Sequence, residues 1–400
     1  MTGVSVTPQV IASEADAVRI AREFSESLAP NVIERDRTGS VPVAELAEFD
    51  SSGLLAITVP RAYDGAEVSM ATLAEVIRTI AAVDPAIAQA PQGHFLMVDV
   101  LATLGTEDQR RRLFGEVLAG GRLGNALAER GGRNAQDLRT RLRGRERLEG
   151  RKYYATGALT SRWIGVSALD DDDQLMLAFV PRDAPGVSLD EDWNTMGQRA
   201  TVSGSAVFDG VEVDPELVIP YHEAFEGPQQ LGARAQLVHA AIQVGIAAGA
   251  LRDAREFVRT RARPFFEAAR AGWAETAGED PYTIGRYGRL ATRVRAAETL
   301  LADAAAVQQE VGRQPVELLA AARGSLAVAS AKAFASEVAV EVASDLFALS
   351  GASAADERYD LSRHWRNART HASHDPVDWK YHHLGNFLLN DALPPNHAQL

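Results

Sequence analysis

The spacing of apolar residues changes twice along the chain, and this change limits the folds that the chain can adopt. Up to about Gly121 the apolar residues recur every three or four positions, as in "EADAVRIAREFSESLAPNVIERD", which predicts helices. From Arg122 to about Pro220, short runs of β-branched and aromatic residues alternate with turn signals, which predicts strands. From about Leu231 the helical spacing returns. The chain is therefore predicted to carry a β insert between two helical regions.

This pattern predicts three domains in a mostly α-helical fold. We expect an N-terminal helical domain over residues 1–121, a middle β domain over 122–228 and a C-terminal four-helix bundle over 229–400. The middle domain is expected to be a small antiparallel sheet or barrel, with the acidic run Asp170–Asp173 as a hairpin turn. A chain of 400 residues is also too long for one simple core. The last two helices are expected at about Leu361–His374 and Pro376–Asn390.

Composition excludes several classes of function. The chain has no cysteine, which excludes disulfides, thiolate nucleophiles and cysteine-ligated metals. Its net charge of -13 argues against a nucleic-acid partner. The sequence shows neither a signal peptide nor a run of about 18 apolar residues, so we expect a cytoplasmic protein with no membrane partner.

Histidines are concentrated near the C-terminus, where six of the nine lie beyond residue 360: His364, His371, His374, His382, His383 and His397. His371 and His374 are three residues apart and share a helix face. A catalytic metal needs a third ligand as well, and none is evident, so we expect no metal site. Asp375 precedes Pro376, which favours a helix cap that points away from both histidines, although a catalytic base stays open.

Two further features allow a structural or a functional interpretation. His94, in "QGHFLMVDV", is either a buried core histidine or an active-site residue brought close to His374 by the fold. Arg363, Arg366 and Arg369 form a stripe on one helix face, which is either an ion-pair surface or a clamp for phosphate or carboxylate.

Several segments, in their order along the chain, resemble the acyl-CoA dehydrogenase family. They are "GNALAE", "GRKYYATGA", "GQRATVSGS", "RTRARPF" and "DLSRHWRNARTHASHDPVDWKYHHLGN". The C-terminal segment is the most specific of them. It is similar to that of a branch of flavin-dependent monooxygenases, which includes dibenzothiophene monooxygenase and the sulfur-acquisition oxidoreductases. The resemblance covers almost the whole chain and implies the same three domains.

The resemblance implies a catalytic role for histidine in place of glutamate. In the similar dehydrogenases a glutamate near this point removes the α-proton of an acyl thioester, whereas here His374-Asp375-Pro376 stands in its place. The similar monooxygenases use histidines at the positions of His374 and His94. His374 would lie over the flavin and stabilise a C4a-(hydro)peroxyflavin, and His94 would approach from the substrate side.

The resemblance also implies a set of cofactor-binding residues. Thr156 keeps a hydroxyl where relatives have serine, and is expected to act in catalysis as well as in flavin binding. Ser353 stands where relatives carry an arginine, which puts one phosphate contact in doubt. Together with His374, the residues expected to bind the cofactor are Asn125, Lys152, Thr156, Trp193, Ser203, Arg263, Ala352 and Ser353.

These features together predict a two-component flavin monooxygenase. It would take reduced FMN from a separate flavin reductase, since the sequence shows no nicotinamide site, and would oxygenate a small organosulfur compound. The family implies a homotetramer. One alternative is an FAD-dependent oxidoreductase of the acyl-CoA dehydrogenase type. Another is a non-catalytic protein of the same fold that acts through its oligomer surface.

Overall fold

The computed structural model describes residues 7–312 and 316–399, and it has the predicted order of helices, sheet and helices. The predicted fold class is therefore confirmed. Hydrophobic side chains from both helical regions form one continuous core, and a second core lies within the sheet. No helix among the described residues is long and apolar enough to cross a membrane.

Seven α-helices make up the N-terminal region, and several of them begin at a capping residue. Thr106 caps one helix through the backbone of Gln109, whose side chain bonds back to Thr106. Asp84 caps another and is followed by Pro85 at the first helical position. The helices are α1 (Glu14–Leu28), α2 (Val32–Thr38), α3 (Val43–Ser51), α4 (Met70–Ala81), α5 (Pro85–Gln89), α6 (Gln92–Leu104) and α7 (Glu107–Leu118).

The middle region is an eight-stranded sheet. Its strands are β1 (Leu123–Ala126), β2 (Arg141–Arg143), β3 (Arg147–Lys152), β4 (Trp163–Leu169), β5 (Leu175–Pro181), β6 (Val187–Leu189), β7 (Ala206–Glu212) and β8 (Val218–Ile219). They lie in the order β6-β7-β3-β2-β4-β5-β8, and β1 pairs with β4. Most pairs are antiparallel, but β1 and β2 run parallel to β4, which the sequence did not predict. The run Asp170–Asp173 forms the predicted turn between β4 and β5.

Three long helices and three shorter ones form the described part of the C-terminal region. The helices are α8 (Leu231–Thr260), α9 (Phe266–Arg270), α10 (Pro281–Val311), α11 (Leu318–Ser350), α12 (Ser362–Ala372) and α13 (Val377–Asn390). Small residues such as Gly245 and Gly249 let α8 approach α4 closely, because a side chain there would meet the backbone of Arg78 or Ala82.

The corner between α12 and α13 differs from the prediction. Asp375 does not cap α13: Pro376 occupies the cap position, and no side chain bonds to the helix start. The buried carboxylate of Asp375 instead contacts Lys332, Lys380 and His374. The prediction failed because two ammonium groups attract this carboxylate more strongly than free backbone N–H groups do.

Candidate active site

Three histidines from two helices and a corner come together at the end of α12. His239, on α8, lies with its Nδ1 3.2 Å from the Nε2 of His371. The same Nε2 lies 3.1 Å from the side-chain oxygen of Gln89 on α5. The ring of His374, two residues beyond α12, packs on that of His239 with centroids 4.2 Å apart and planes tilted by 38°. His239 and His371 are buried, whereas 43% of the His374 side chain is exposed.

Two buried lysines surround the carboxylate next to His374. Lys332, on α11, donates to Asp375 Oδ1 and to Gln236, and the Nζ of Lys380 lies 3.0 Å from Asp375 Oδ2. The Nδ1 of His374 lies 3.4 Å from Asp375 Oδ1. Because a carboxylate only accepts hydrogen bonds, this Nδ1 carries the proton, and Nε2 is the ring nitrogen left for a reactant.

Burial sets the charges of this cluster. Desolvation lowers the pKa of His371 and His239 well below 6.5, so both rings are neutral near pH 7. It also lowers the pKa of Lys332 to about 8. Burial opposes ionisation of Asp375, but His374 and the two ammonium groups hold its pKa well below the usual range. Asp375 is therefore a fixed anion, and it cannot serve as a base near neutral pH.

A chain of buried hydroxyls lies beside the sheet. The Oγ atoms of Thr156 and Ser203 are 2.8 Å apart, and Ser203 lies 2.8 Å from Thr201. Thr201 donates to the carbonyl oxygen of Gln198, which also accepts from the indole of Trp193. Thr156, Trp193 and Ser203, which were predicted to bind the cofactor, are thus brought into one network.

This network contacts α12, the helix at whose end the histidine cluster lies. The backbone N–H of Gln198 donates to the side chain of Asn367, about two helical turns before His374. The side-chain amide of Gln198 is 3% exposed, and among the described residues neither its nitrogen nor its oxygen has a partner. An unpaired buried amide is costly, so a polar ring or a water molecule bound here would be stabilised.

The side chains present fit a flavin. Asn125, at the end of β1, is half-buried and packs against Gly93 at the start of α6. Trp193 is half-buried and lies with Tyr153 and Tyr154 in an aromatic group, with ring centroids 4.7–6.3 Å apart. Amide and hydroxyl groups beside an aromatic wall are suited to an isoalloxazine, which is flat and has polar atoms along its edge.

Two of the predicted site residues have no accessible surface. Lys152 donates to Glu129, Ser167 and the carbonyl of Leu127, which uses all three of its N–H groups, and burial lowers its pKa to about 8. Its direct contact with a cofactor, as predicted, does not fit this conformation. Lys152 can act only by holding strands β1, β3 and β4 together.

His94 is likewise enclosed. Its Nδ1 accepts from the N–H of Leu123, so Nε2 carries the proton and donates to the carbonyl of Leu55 at 2.9 Å. Burial lowers its pKa to about 4, which keeps the ring neutral. The structure places His94 behind β1, and no contact with His374 is found among the described residues. The core interpretation therefore describes this conformation better than the catalytic one.

Three more of the residues predicted to bind the cofactor lie apart from the rest. Arg263 is exposed in the segment after α8, and Ala352 and Ser353 are exposed in the turn after α11. No contact joins any of them to Thr156 or Trp193 in the described part of one chain. A phosphate held by these residues would have to lie at the edge of the chain.

His239 and Lys332 belong to the cluster but were not identified from the sequence. Each is the one titratable residue within a mostly apolar helical segment, "QLVHAAIQ" or "VASAKAFAS". A polar residue in such a segment has to find a buried partner, and that requirement was the only available signal. Among residues 7–312 and 316–399, no group of three or more His, Asp or Glu is placed to hold a metal ion.

Comparison with known proteins identifies the family. Models of the acyl-CoA dehydrogenase N-terminal, middle and C-terminal domains match residues 13–121, 126–211 and 237–379. The chain belongs to the acyl-CoA dehydrogenase family. The segments between these matches, residues 122–125 and 212–236, contain most of β1, and β8 with the start of α8.

Within this family, several similar proteins are named as monooxygenases. The chain is 33% identical to dibenzothiophene monooxygenase of Rhodococcus erythropolis, over 96% of this chain and 95% of the relative. It is 35% identical to the probable FMNH2-dependent monooxygenase SfnC of Pseudomonas putida, over 94% of this chain and 96% of the relative. The crystal structure of FMN-bound TdsC from Paenibacillus sp. A11-2 superposes with a TM-score of 0.91 at 30% identity, covering 96% of this chain and all of TdsC.

Proposed function

We propose that the protein is a monooxygenase that uses reduced FMN and O2 to oxygenate a small organosulfur compound. The observation that carries this proposal is the pairing at the end of α12 of an accessible imidazole, His374, with a carboxylate, Asp375, that two lysines hold ionised. A dehydrogenase of this family needs a carboxylate base near this point. Asp375 is buried, and its pKa lies well below the usual range, so it is unsuited to proton abstraction from carbon.

The chain's own residues hold the cofactor and exclude water. We assign the isoalloxazine to Asn125, Thr156, Trp193 and Ser203, the last three of which share the hydrogen-bond network that reaches α12. When bound, reduced FMN supplies two electrons and two protons, so that one oxygen atom of O2 passes to the substrate and the other leaves as water. The buried hydroxyls and the aromatic group keep bulk water from the reacting atoms.

His374 moves or holds a proton at Nε2. Its Nδ1 faces Asp375, so the neutral ring presents a lone pair at Nε2 and the charged ring presents a proton there. Contacts with His239 fix the ring plane without adding charge. A histidine held in this way can stabilise oxygen bound beside it and limit its loss as hydrogen peroxide.

The substrate class and the partner follow from the relatives. Dibenzothiophene monooxygenase is named for an aromatic sulfur compound, and SfnC for its dependence on FMNH2. We propose a small organosulfur substrate whose sulfur lone pair accepts the oxygen atom. A separate flavin reductase in the cytoplasm would supply the reduced FMN.

We also propose that the working form is a homotetramer. Phe265, Phe266 and Trp273, between α8 and α10, are 56–61% exposed, and Leu388 and Leu389 at the end of α13 are 70% and 84% exposed. Apolar patches of this kind mark subunit contacts. Arg263 lies beside the first patch, so a second copy there would bring this arginine to a neighbouring cofactor. Light scattering on the purified chain measures the assembly directly.

The proposed function is tested with FMNH2, O2 and dibenzothiophene. We expect the protein to yield an S-oxygenated product and to bind FMN in preference to FAD. His374→Ala should cut product formation by about 100-fold, the size typical of a lost acid–base group, and divert O2 to hydrogen peroxide. The control is His382→Ala, which removes an exposed histidine of α13 outside the cluster and should leave the product yield unchanged.

Other outcomes would favour the alternatives. Reduction of bound FAD by an acyl-CoA, with no response to FMNH2, would show a dehydrogenase and overturn the proposal. Failure to bind any flavin would point to a non-catalytic protein that acts through its oligomer surface. An unchanged product and peroxide yield in His374→Ala would remove the role assigned to His374.

A further inference from the structure

Lys332 is buried in the helical bundle, and Asp375 lies between it and His374 and contacts both. Its ammonium donates to Asp375 Oδ1, and the Nδ1 of His374 lies 3.4 Å from that same oxygen. The lysine also donates to Gln236 of α8, so its position is fixed from that helix and from the corner between α12 and α13. Its side chain is 4% exposed, and no direct contact with a reactant is available to it.

We propose that Lys332 is a positioning residue that controls whether His374 carries a proton, and that it acts through the carboxylate that the two residues share. The proposal rests on the role assigned to His374 in oxygen transfer and deepens it. Lys332 touches neither substrate nor cofactor, and its effect passes through Asp375.

The charges around His374 give the direction of this control. Lys332 and Lys380 contribute two positive charges and Asp375 one negative charge, so the cluster disfavours a further positive charge on His374. The ring of His374 packs on His239, and this partial desolvation lowers its pKa although 43% of the side chain is exposed; Asp375 opposes this, and the two lysines add to the lowering. The remaining titratable groups that face it, His239 and His371, are neutral near pH 7 and do not alter this balance.

Removing the charge of Lys332 should therefore make His374 more basic. Asp375 would then be balanced by Lys380 alone, and the charge beside His374 would fall from positive to neutral. At separations of about 5–6 Å and an effective dielectric constant of about 40, as suits a ring that is partly exposed, one unit charge changes proton affinity by about tenfold. Since Nε2 carries a proton only in the charged ring, Lys332 sets the pH range in which His374 can donate.

The first experiment measures His374 in the protein without flavin. The protein is labelled with 13C at histidine Cε1, His374 is assigned from the spectrum of His374→Gln, and its NMR signal is followed from pH 5 to pH 10. Lys332→Met should raise the titration midpoint of His374, and Lys332→Arg, which keeps the charge, should leave it near the wild-type value. Asp375→Asn should lower it.

The opposite directions separate electrostatic control from a structural role. Damage to the packing would shift the titration midpoint of His374 in the same direction in both variants. The proposal requires Lys332→Met to raise this midpoint and Asp375→Asn to lower it. An unchanged midpoint in a folded Lys332→Met protein would overturn the proposal.

The wild-type protein provides a test that does not depend on a folded variant. Burial lowers the pKa of Lys332 to about 8, so its titration should appear as a second inflection in the His374 signal near that pH. Lys332→Arg should lack this inflection. A wild-type signal without it would contradict the coupling.

The second experiment measures product and hydrogen peroxide against pH. If His374 donates a proton to oxygen, Lys332→Met should extend the coupled product yield to higher pH by about one pH unit, matching the NMR shift. An NMR shift without any change in this profile would retain the coupling but refute the assigned role of His374. The two failures are thus distinguishable.

Discussion

Gly93 shows how closely one residue of the candidate site depends on its neighbour. A Cβ at this position would lie 2.3 Å from the Nδ2 and 2.9 Å from the Cβ of Asn125. Because both distances are too short, Gly93→Ala must displace the whole Asn125 side chain. We expect the Kd for FMN to rise about tenfold, which corresponds to about 1.4 kcal/mol of lost binding free energy. Fluorescence titration with FMN measures this effect.

A second helical glycine supplies the control for this prediction. Gly115, on α7, is exposed, and a Cβ there would meet nothing within 4 Å. Gly115→Ala should leave FMN binding unchanged and stabilise the helix by up to about 1 kcal/mol. Wild-type FMN affinity in a folded Gly93→Ala protein would show that Asn125 does not contact the cofactor.

Among individual residues, the sequence predicted some side chains of the candidate site and not others. His374, Thr156, Trp193 and Ser203 were identified through motifs that resemble the family, and their contacts support those assignments as proposals. His239 was not identified, because its partners lie 132 and 135 positions away along the chain. Local patterns carry no information on such contacts, which arise only when α8 packs against α12.

Helix α12 links the N-terminal helices to the chain of buried hydroxyls beside the sheet, and Arg366 is central to this link. Its guanidinium lies 2.6 Å from Asp36 of α2 and 2.8 Å from Asp360, and both carboxylates are buried. Burial raises the pKa of Asp360, and repulsion by Asp36 adds to this effect. Arg366→Met would leave two buried carboxylates close together, so we expect a loss of about 3 kcal/mol in unfolding free energy.

Chemical denaturation measures this loss, and Arg369 provides the control. Arg369 lies on the same helix, is exposed, and makes no ion pair among the described residues. Arg369→Met should change the unfolding free energy by less than about 0.5 kcal/mol. If both substitutions changed the unfolding free energy equally, the ion pairs of Arg366 would contribute no more to stability than the exposed side chain of Arg369 does. The structure thus favours the ion-pair interpretation of this stripe for Arg363 and Arg366.

At the scale of elements, local chemistry predicted helices better than strand pairing. The spacing of apolar residues, the Thr106 cap and the Asp84-Pro85 start are local signals, and the structure has each of them. The parallel pairing of β1 with β4 joins residues about 40 positions apart, so no turn residue indicates it. Asp375 shows the converse, since a local capping signal was overridden by ion pairs with distant lysines.

For the whole molecule, the change in periodicity was enough to predict three regions in the correct order. Each region has to bury its own pattern of apolar residues, and helices and strands bury different patterns. The relative placement of the regions could not be predicted, because it depends on side chains such as Gln198 and Asn367 that meet only after folding.

Several buried neutral histidines should make the whole fold sensitive to acid. Burial lowers the pKa of His94 to about 4, and it also lowers the pKa of His239, His364 and His371. Between pH 6.5 and about pH 4 the unfolded chain binds more protons at these residues than the folded chain. Their stabilisation is therefore complete above pH 6.5 and is lost as the pH falls.

Urea unfolding at a series of pH values tests this prediction. His94 alone should account for about 3 kcal/mol of the loss between pH 6.5 and pH 4, from its change in pKa. His94→Gln has no proton to gain, so its unfolding free energy should fall less steeply over this range, whatever its value at pH 7. Buried carboxylates cannot produce the same difference between the two curves, since Asp253, Asp360 and Asp375 are present in both proteins. If the two proteins gave parallel curves of unfolding free energy against pH, His94 would already be charged in the folded protein. The neutral ring with its proton on Nε2, inferred from the contacts with Leu55 and Leu123, would then be wrong.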